Sequence, residues 1–507
     1  MAAVRALRRW LLLALTAATV VGCAAAYFHR VGSSPALTRF TPATLPWREV
    51  WMGLVFNGAK VGFSHLAVRP DPEHSGGYAL CSEAALRFRF LLVDKAVNLT
   101  GCDRVDAGLR LRDFDARMEL DRSRLEISGR VEGGALHLET RSDGRETRQV
   151  LPLAGPLYPA SAVNLVPVVR GLREGARYRY TVYSVETRSL AEVEQRVVAW
   201  EESELFEGPA WRVETRMLGQ AVTTWIDAEG RPRLELSMGG VLIAGLESER
   251  RARRYVVEAA LNKQDVLLEL SRVPAQPPIR QPRSVRGLDL ILHGLDGVHP
   301  PSNSWQRCIS QGRGVRCRIG SLHPGGLPAV PPDPARDRAS TWTVPARNPF
   351  IRDLARRIVA GVREPHARLR HLLDWIAGHI TRTAEDTFSA LDVLRTRRAE
   401  CQGHAALLAA LARSLGIPVR VVNGLVYSGA HEGFLFHTWT RVWLEDRWVP
   451  VDPVFGQFPA DATHVELLAG EEPAALLPLA GLVGHLRAEV LAVDPAPSEG
   501  SGVGAGP

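Results

Sequence analysis

Lysine is almost missing from this chain of 507 residues: three (Lys60, Lys95 and Lys263) stand against 59 arginines, out of 62 basic residues in all. The arginines are scattered and interleaved with acids. A nucleic-acid binder carries its basic residues as a stripe with aromatics between them. The net charge of +7 is therefore read as a codon preference, and no nucleic-acid partner is expected. Metal-ligand spacing is lacking as well. His431-Glu432 and His464 come nearest to it, but they have no paired arrangement such as HExxH. They read as loop residues, with no metal and no cofactor.

Cysteine is sparse, six in all. Cys81 and Cys102 share a β-rich region, and Cys308 and Cys317 flank the short loop ISQGRGVR. Both pairs are candidate disulfides, as expected of a chain in an oxidising compartment. Cys23 lies in the N-terminal segment. There Arg5, Arg8 and Arg9 precede an apolar run of 19 residues from Trp10 to Phe28. That pattern reads as a signal peptide or membrane anchor over 1–30. Either the run stays in the membrane, or VVGC is a bacterial lipobox and Cys23 is lipidated after cleavage. Both place the bulk of the chain outside the cytosol. Cys401 is left without a partner, and an unpaired thiol in such a compartment is a liability unless buried or used.

The chain divides by composition. Residues 31–47 read as a tether. From 45 to 272, short alternating runs separated by turn signals (Asn57-Gly58, Asp143-Gly144, Gly230) predict a β-rich N-terminal domain. It contains no catalytic cluster. Pro-rich VPAQPPIRQPR (273–283) reads as a linker, followed by a small β segment over 284–323. From about 345 the pattern turns helical, with Asn348 as a cap and Pro349 at the first helical position. Residues 491–507 read as a disordered tail.

In RRAECQGHAALLAALARSLGIP the residues Cys401, His404, Leu408, Leu411 and Leu415 recur at helical spacing. Cys401 therefore sits at the N-terminal end of a buried stripe, where unpaired N–H groups and the helix dipole favour a thiolate. Downstream, GFLFHTWTRVWLEDRWVPVDPVFGQ reads as a hairpin turning near Glu445-Asp446. With an even loop, His437 and Asp452 share a face, opposite or one diagonal apart. Asp452 can then accept from one imidazole nitrogen while the other faces the thiol. Trp439 and Trp443 lie on the His437 face as candidate substrate-binding walls or core aromatics. His404 is the local rival to His437.

The segments ECQGHAALLAALARSLGIPVRVVNGLVY, FHTWTRVWLEDRWVPVDPVFGQ and DATHVELLAG resemble the transglutaminase-like superfamily in its bacterial form, over roughly 345–490. The resemblance implies a papain-like domain in which Cys401 is the nucleophile, His437 the general base and acid, and Asp452 the orienting acid. Gln402 and Trp375 are its candidates for a second oxyanion donor. Glu400 and Val454 depart from the family's usual residues beside the Cys and after the Asp-Pro pair. The expected fold class is α+β and multidomain: an antiparallel all-β N-terminal domain and a C-terminal transglutaminase core. The expected function is a thiol enzyme acting on protein or peptide amides through a thioester. It would be anchored in the bacterial cell envelope by its N-terminal segment or a lipid, with the catalytic domain outside the cytoplasm. The alternative is a non-catalytic envelope adaptor.

Overall fold

A computed structural model describes residues 28–495 apart from 33, 57, 91–92, 122, 143–144, 256–270, 296, 324–328 and 384–385. Strand outweighs helix, 50% against 18%, so the molecule is more strongly β than the expected α+β balance. Among the described residues, helices of seven residues or more occur only from Pro349 onward. Cys23 and the apolar run up to 27 lie outside the described residues. No described helix is long and apolar enough to cross a membrane.

Alternation builds the N-terminal region. In Ser189–Ser203, Ala191, Val193, Gln195 and Val197 are buried while Glu192, Glu194 and Arg196 are exposed, the period of two that a half-wet strand requires. Sixteen strands form one sheet, joined where Leu242–Glu247 pairs with Glu49–Phe56. Leu136 near one end of the strand path and Val182 near the other are in the same core, so the sheet curls around a single apolar interior. Gly230, at φ 76°, makes one of its turns against Val168, whose Cγ1 lies 2.7 Å from where a Cβ would stand.

Two expected boundaries move. Phe28–Arg30 is a strand paired with Ser189–Ser203, and Phe28 stacks on Trp225 at 4.4 Å. The expected tether is packed: Leu45 and Trp47 are buried, and Thr38 accepts from the Trp211 indole at 3.1 Å. Apolar side chains spaced through 31–47 bury better against the sheet than they solvate. Cys81 and Cys102 are directly opposite on adjacent strands and disulfide-bonded, as are Cys308 and Cys317.

A nine-stranded sheet carries the rest. Its order is Gln306–Gln311, Gly314–Gly320, Val285–His293, Arg487–Pro495, Val273–Gln276, Gly433–Leu444, Val419–Ser428 and Val465–Ala469, with Arg447–Val451 paired to Gly433–Leu444. The segment 284–323 is therefore no separate unit. The Pro-rich linker contributes Val273–Gln276 as the bridging strand. The expected tail begins too early, because Leu491 to Pro495 belongs to a strand.

The helix Cys401–Ser414 is the hub, and every residue from Gly403 to Arg413 is buried. An all-round apolar helix is stable only when packed on several sides. Pro349–Ile358, Pro365–His379 and Ala390–Thr396 supply those sides together with the Gly433–Leu444 strand. Gly403 permits the closest approach: a Cβ there would meet Thr387 Oγ1 and Ala399 Cβ at 2.7 Å. The N-terminal sheet braces the loops that flank this helix. Arg188 pairs with Glu472 at 2.5 Å, Arg145 donates to the Trp342 carbonyl at 3.2 Å, and the Asp386 N–H donates to Asp121 at 3.1 Å. At the helix's far end Arg413, 3% exposed, pairs with Glu471 at 2.6 Å and donates to the Val419 carbonyl at 2.8 Å. Removing one partner strands a buried charge. Arg413→Ala is expected to lose about 3–5 kcal/mol of unfolding free energy in urea melts; a loss below about 1 kcal/mol would show that the pair does not hold this end.

Candidate active site

Three elements meet at Cys401. The cysteine is the first residue of its helix, and Glu400 caps that helix, its carboxylate accepting from the Gly403 N–H at 2.8 Å and from the Gln402 N–H. The thiol lies near Thr438, whose backbone and side chain both favour its ionised form. Thr438 directly follows His437 on the strand Gly433–Leu444. The hairpin turns through Glu445 and Asp446, both left-handed at φ 48° and 56°, as a two-residue twisted turn requires. Thr440 stands opposite Val451. One step further sets Asp452 across from Trp439 and diagonal to His437, on the same face. His437 Nε2 then meets Asp452 Oδ2 at 2.8 Å.

Asp452 has no solvent exposure, and its carboxylate is saturated with donors. Oδ2 takes His437 and, at 2.9 Å, His464 Nε2; Oδ1 takes the N–H groups of Val454 at 2.7 Å and Phe455 at 3.2 Å. Burial alone pushes the carboxyl up. The histidines outweigh burial and hold it well below the usual carboxylate range. Because Asp452 is an anion, His437 Nε2 must be the donor, and in the neutral ring Nδ1 keeps the free lone pair. Burial lowers the His437 pKa against the upward pull of Asp452, and His464 and Arg382 lower it further. The resting imidazole is neutral.

The thiol departs from its expected ionisation. Burial, then the Glu400 carboxylate, push the Cys401 pKa up, and Thr438 offsets only part of this. The helix N-terminus does attract an anion here, but that anion is Glu400, which occupies the first-turn N–H groups. At rest the Cys401 thiol keeps its proton and the His437 ring is neutral.

With this geometry in view, residues 352–453 match the family described as the Transglutaminase-like superfamily. This segment is a transglutaminase-like core domain. The kyphoscoliosis peptidase of Mus musculus is 30% identical over 109 residues, 19% of this chain and 16% of the mouse protein. The Homo sapiens protein of that name is 29% identical over 102 residues, 18% of this chain and 15% of its own length. The chain thus spans about a sixth of the curated relatives it matches. Two solved structures resemble it loosely. A candidate cysteine protease of Cytophaga hutchinsonii is 14% identical, covering 43% of this chain and 90% of its own, with TM-score 0.29. A β-barrel-like protein of unknown function from Brucella abortus is 11% identical, covering 40% and 95%, with TM-score 0.31.

Other expected residues of the transglutaminase-like core lie elsewhere. Trp439 is 2% exposed and packs on the rings of His437 and His464, at 6.1 and 5.2 Å; it backs the site from the core and is no open wall. Trp443 meets Trp448 edge-on at 5.3 Å, six residues along the strand from His437. Trp375 stacks on His379 at 4.3 Å under Arg397. The Gln402 backbone N–H is taken by Glu400, and the residue borders a small polar cavity of about 30 Å³ with Thr387, Asn423 and Thr438, room for a single water. His404 donates from Nδ1 to the Glu400 carbonyl at 2.8 Å, buttressing the cap.

Sequence reasoning missed His464 and Phe455. Phe455 lies 5.4 Å from the His437 ring, with Arg283 and Arg382 over it at 4.4 and 5.1 Å. His464 does lie in a loop, just before the strand Val465–Ala469, but its side chain is buried, and its pKa rises to about 9, burial being outweighed by Asp452 and Asp461. His437, Asp452 and His464 converge as a metal's ligands could, but their 2.8 and 2.9 Å contacts are those of proton-sharing pairs.

Two outcomes follow from these charges. Glu400→Gln keeps an oxygen at the cap and removes the anion beside sulfur, so the midpoint of Cys401 alkylation by iodoacetamide should move to lower pH; an unchanged or higher midpoint contradicts the assignment. His464 has a folded pKa of about 9, above the unfolded value near 6.5. Its stabilisation is full below about pH 6.5 and is lost as pH rises through 9. Unfolding free energy should fall by roughly 3 kcal/mol over that window, and His464→Gln should lack the fall; identical pH dependence of the two proteins would refute it.

Proposed function

We propose that this chain is a thiol enzyme that acts on carboxamides of proteins or peptides through Cys401, His437 and Asp452. Cys401 Sγ attacks the carbonyl carbon of a glutamine side chain or peptide bond as its proton passes to His437 Nδ1. His437 returns that proton to the leaving ammonia or amine, and a thioester remains on sulfur. Water resolving the thioester gives deamidation or proteolysis, and an amine gives cross-linking. Asp452 holds the ring in the tautomer that presents Nδ1 and stabilises the imidazolium formed in the transition state.

The observation that carries this reading is the buried Nε2–Oδ2 bond of 2.8 Å between His437 and Asp452, one residue from the Thr438 that lies near the thiol. Packing alone gives no reason to bury an anion beside a neutral imidazole and a free cysteine. The two disulfides support a compartment outside the cytoplasm, in keeping with the N-terminal pattern of a membrane-anchored or lipidated envelope protein.

A second reading, a non-catalytic envelope adaptor, is favoured by the protonated state of the buried thiol. Turnover separates the two. With a glutamine-containing peptide library, the chain should release ammonia or amine, Cys401→Ala should abolish that release, and Asp452→Asn should reduce it by about 10²–10⁴-fold with the fold intact. Release unaffected by Asp452→Asn removes the orienting acid. No release, with no labelling of Cys401 by a thiol-directed probe in folded, reduced protein, establishes the adaptor.

A further inference from the structure

We infer that His464 is a positioning residue of this site: a buried imidazolium, clamped between Asp452 and Asp461, that fixes the orienting carboxylate and weakens His437 as a base. The inference rests on the reading of Cys401 and His437 as nucleophile and base.

The protonation of His464 follows from its partners. Nε2 lies 2.9 Å from Asp452 Oδ2, and Nδ1 lies 3.0 Å from the Asp461 carbonyl oxygen and 3.4 Å from Asp461 Oδ1. Each of these partners is an acceptor. A neutral imidazole has one N–H and would set a lone pair against an oxygen at one end. Only the doubly protonated ring satisfies both. Asp461 is itself held in place: its oxygens accept from the Thr463 N–H at 2.9 Å and from Gln457 Nε2 at 2.9 Å, and it pairs with Arg283 Nη1 at 2.9 Å.

Charge counting gives the consequence. Asp452 and Asp461 are anions; His464 and Arg283 are cations. The set, buried except for the partly exposed Arg283, is neutral without His437. Were His464 uncharged, one carboxylate would lack a counter-ion in a low-dielectric interior, and His437, 2.8 Å from Asp452, would be drawn into the imidazolium form, where it cannot accept the thiol's proton. His464 also shares Oδ2 with His437, with ring centroids 5.8 Å apart, so its charge acts directly on that ring. The other charged or titratable groups around these two rings are Arg382, which acts on His437, His404, which feels His437 and Asp452, and Cys401, which feels Asp452 and Glu400 at the helix start. Of these Arg382 works in the same direction as His464. The remaining neighbours, Trp439 and Phe455, present ring edges to His464 at 5.2 and 6.2 Å and carry no charge.

The test is the pH profile of Cys401 alkylation by iodoacetamide in the full chain, read by intact mass. His464→Gln keeps an N–H for Asp452 and deletes the charge. Its acid limb should move to higher pH by about one unit or more. An acid limb unmoved from the unsubstituted chain overturns the inference. Asp461→Asn, which removes the anion that holds the proton on His464, should shift the limb the same way and decides the matter if His464→Gln does not fold. Imidazole ¹⁵N NMR of the unsubstituted chain gives an independent reading: one buried histidine doubly protonated at pH 7 supports the inference, and a neutral His464 overturns it. Failure of the underlying reading is distinct. In that case His437→Ala leaves the alkylation profile of Cys401 unchanged, whatever His464→Gln does.

Discussion

A single buried carboxylate organises this site. Asp452 lies in the protein interior with two histidines on one oxygen and two backbone N–H groups on the other. An unpaired anion there would cost several kcal/mol or more. Satisfying it fixes the tautomer of His437, requires a proton on His464, and pins the turn after the hairpin, where Asp452 and Gln457 exchange backbone hydrogen bonds at 3.0 and 2.9 Å. The hairpin register, the path of 452–464 and the orientation of the His437 ring are therefore one constraint seen at three places.

The thiol is tuned by a competition at the helix start. The dipole of Cys401–Ser414 favours negative charge, and so do its free N–H groups. Glu400 accepts from the first-turn N–H groups of Gln402 and Gly403 and occupies them. The result is a protonated sulfur in a site whose His437 ring is neutral. A protonated thiol resists oxidation better than a thiolate does. That suits a free cysteine in a chain whose other described cysteines are all paired.

What the sequence made legible was local. Cys401 at a helix start follows from a period of 3.6, His437 and Asp452 on one face of a hairpin from a period of two with an even loop, and the cysteine pairs from a shared β-rich region and a short flanked loop. What it hid was long-range. Val273–Gln276 joins strands that begin at Gly433 and Arg487, and no local signal distinguishes such a strand from a Pro-rich linker. Residues 31–47 lack a period because they pack as irregular chain. His464 looked like a loop histidine because its partner Asp452 is reached only through the course of residues 453–463, which no periodicity encodes. Glu400 escaped notice as a cap because glutamate is not among the residues preferred at that position. Trp439 and Trp443 share a face by alternation, yet burial assigns one to the back of the site and the other to an edge-on contact with Trp448.

The most direct test of the central claim is a crystal structure of the full chain after reaction with a glutamine-mimicking peptide aldehyde. A covalent bond from Cys401 Sγ to the aldehyde carbon, with His437 Nδ1 in hydrogen-bond range of the adduct and Nε2 still on Asp452, is the predicted result. An unreacted thiol, or an imidazole turned from Asp452 with the adduct formed elsewhere, would contradict the account.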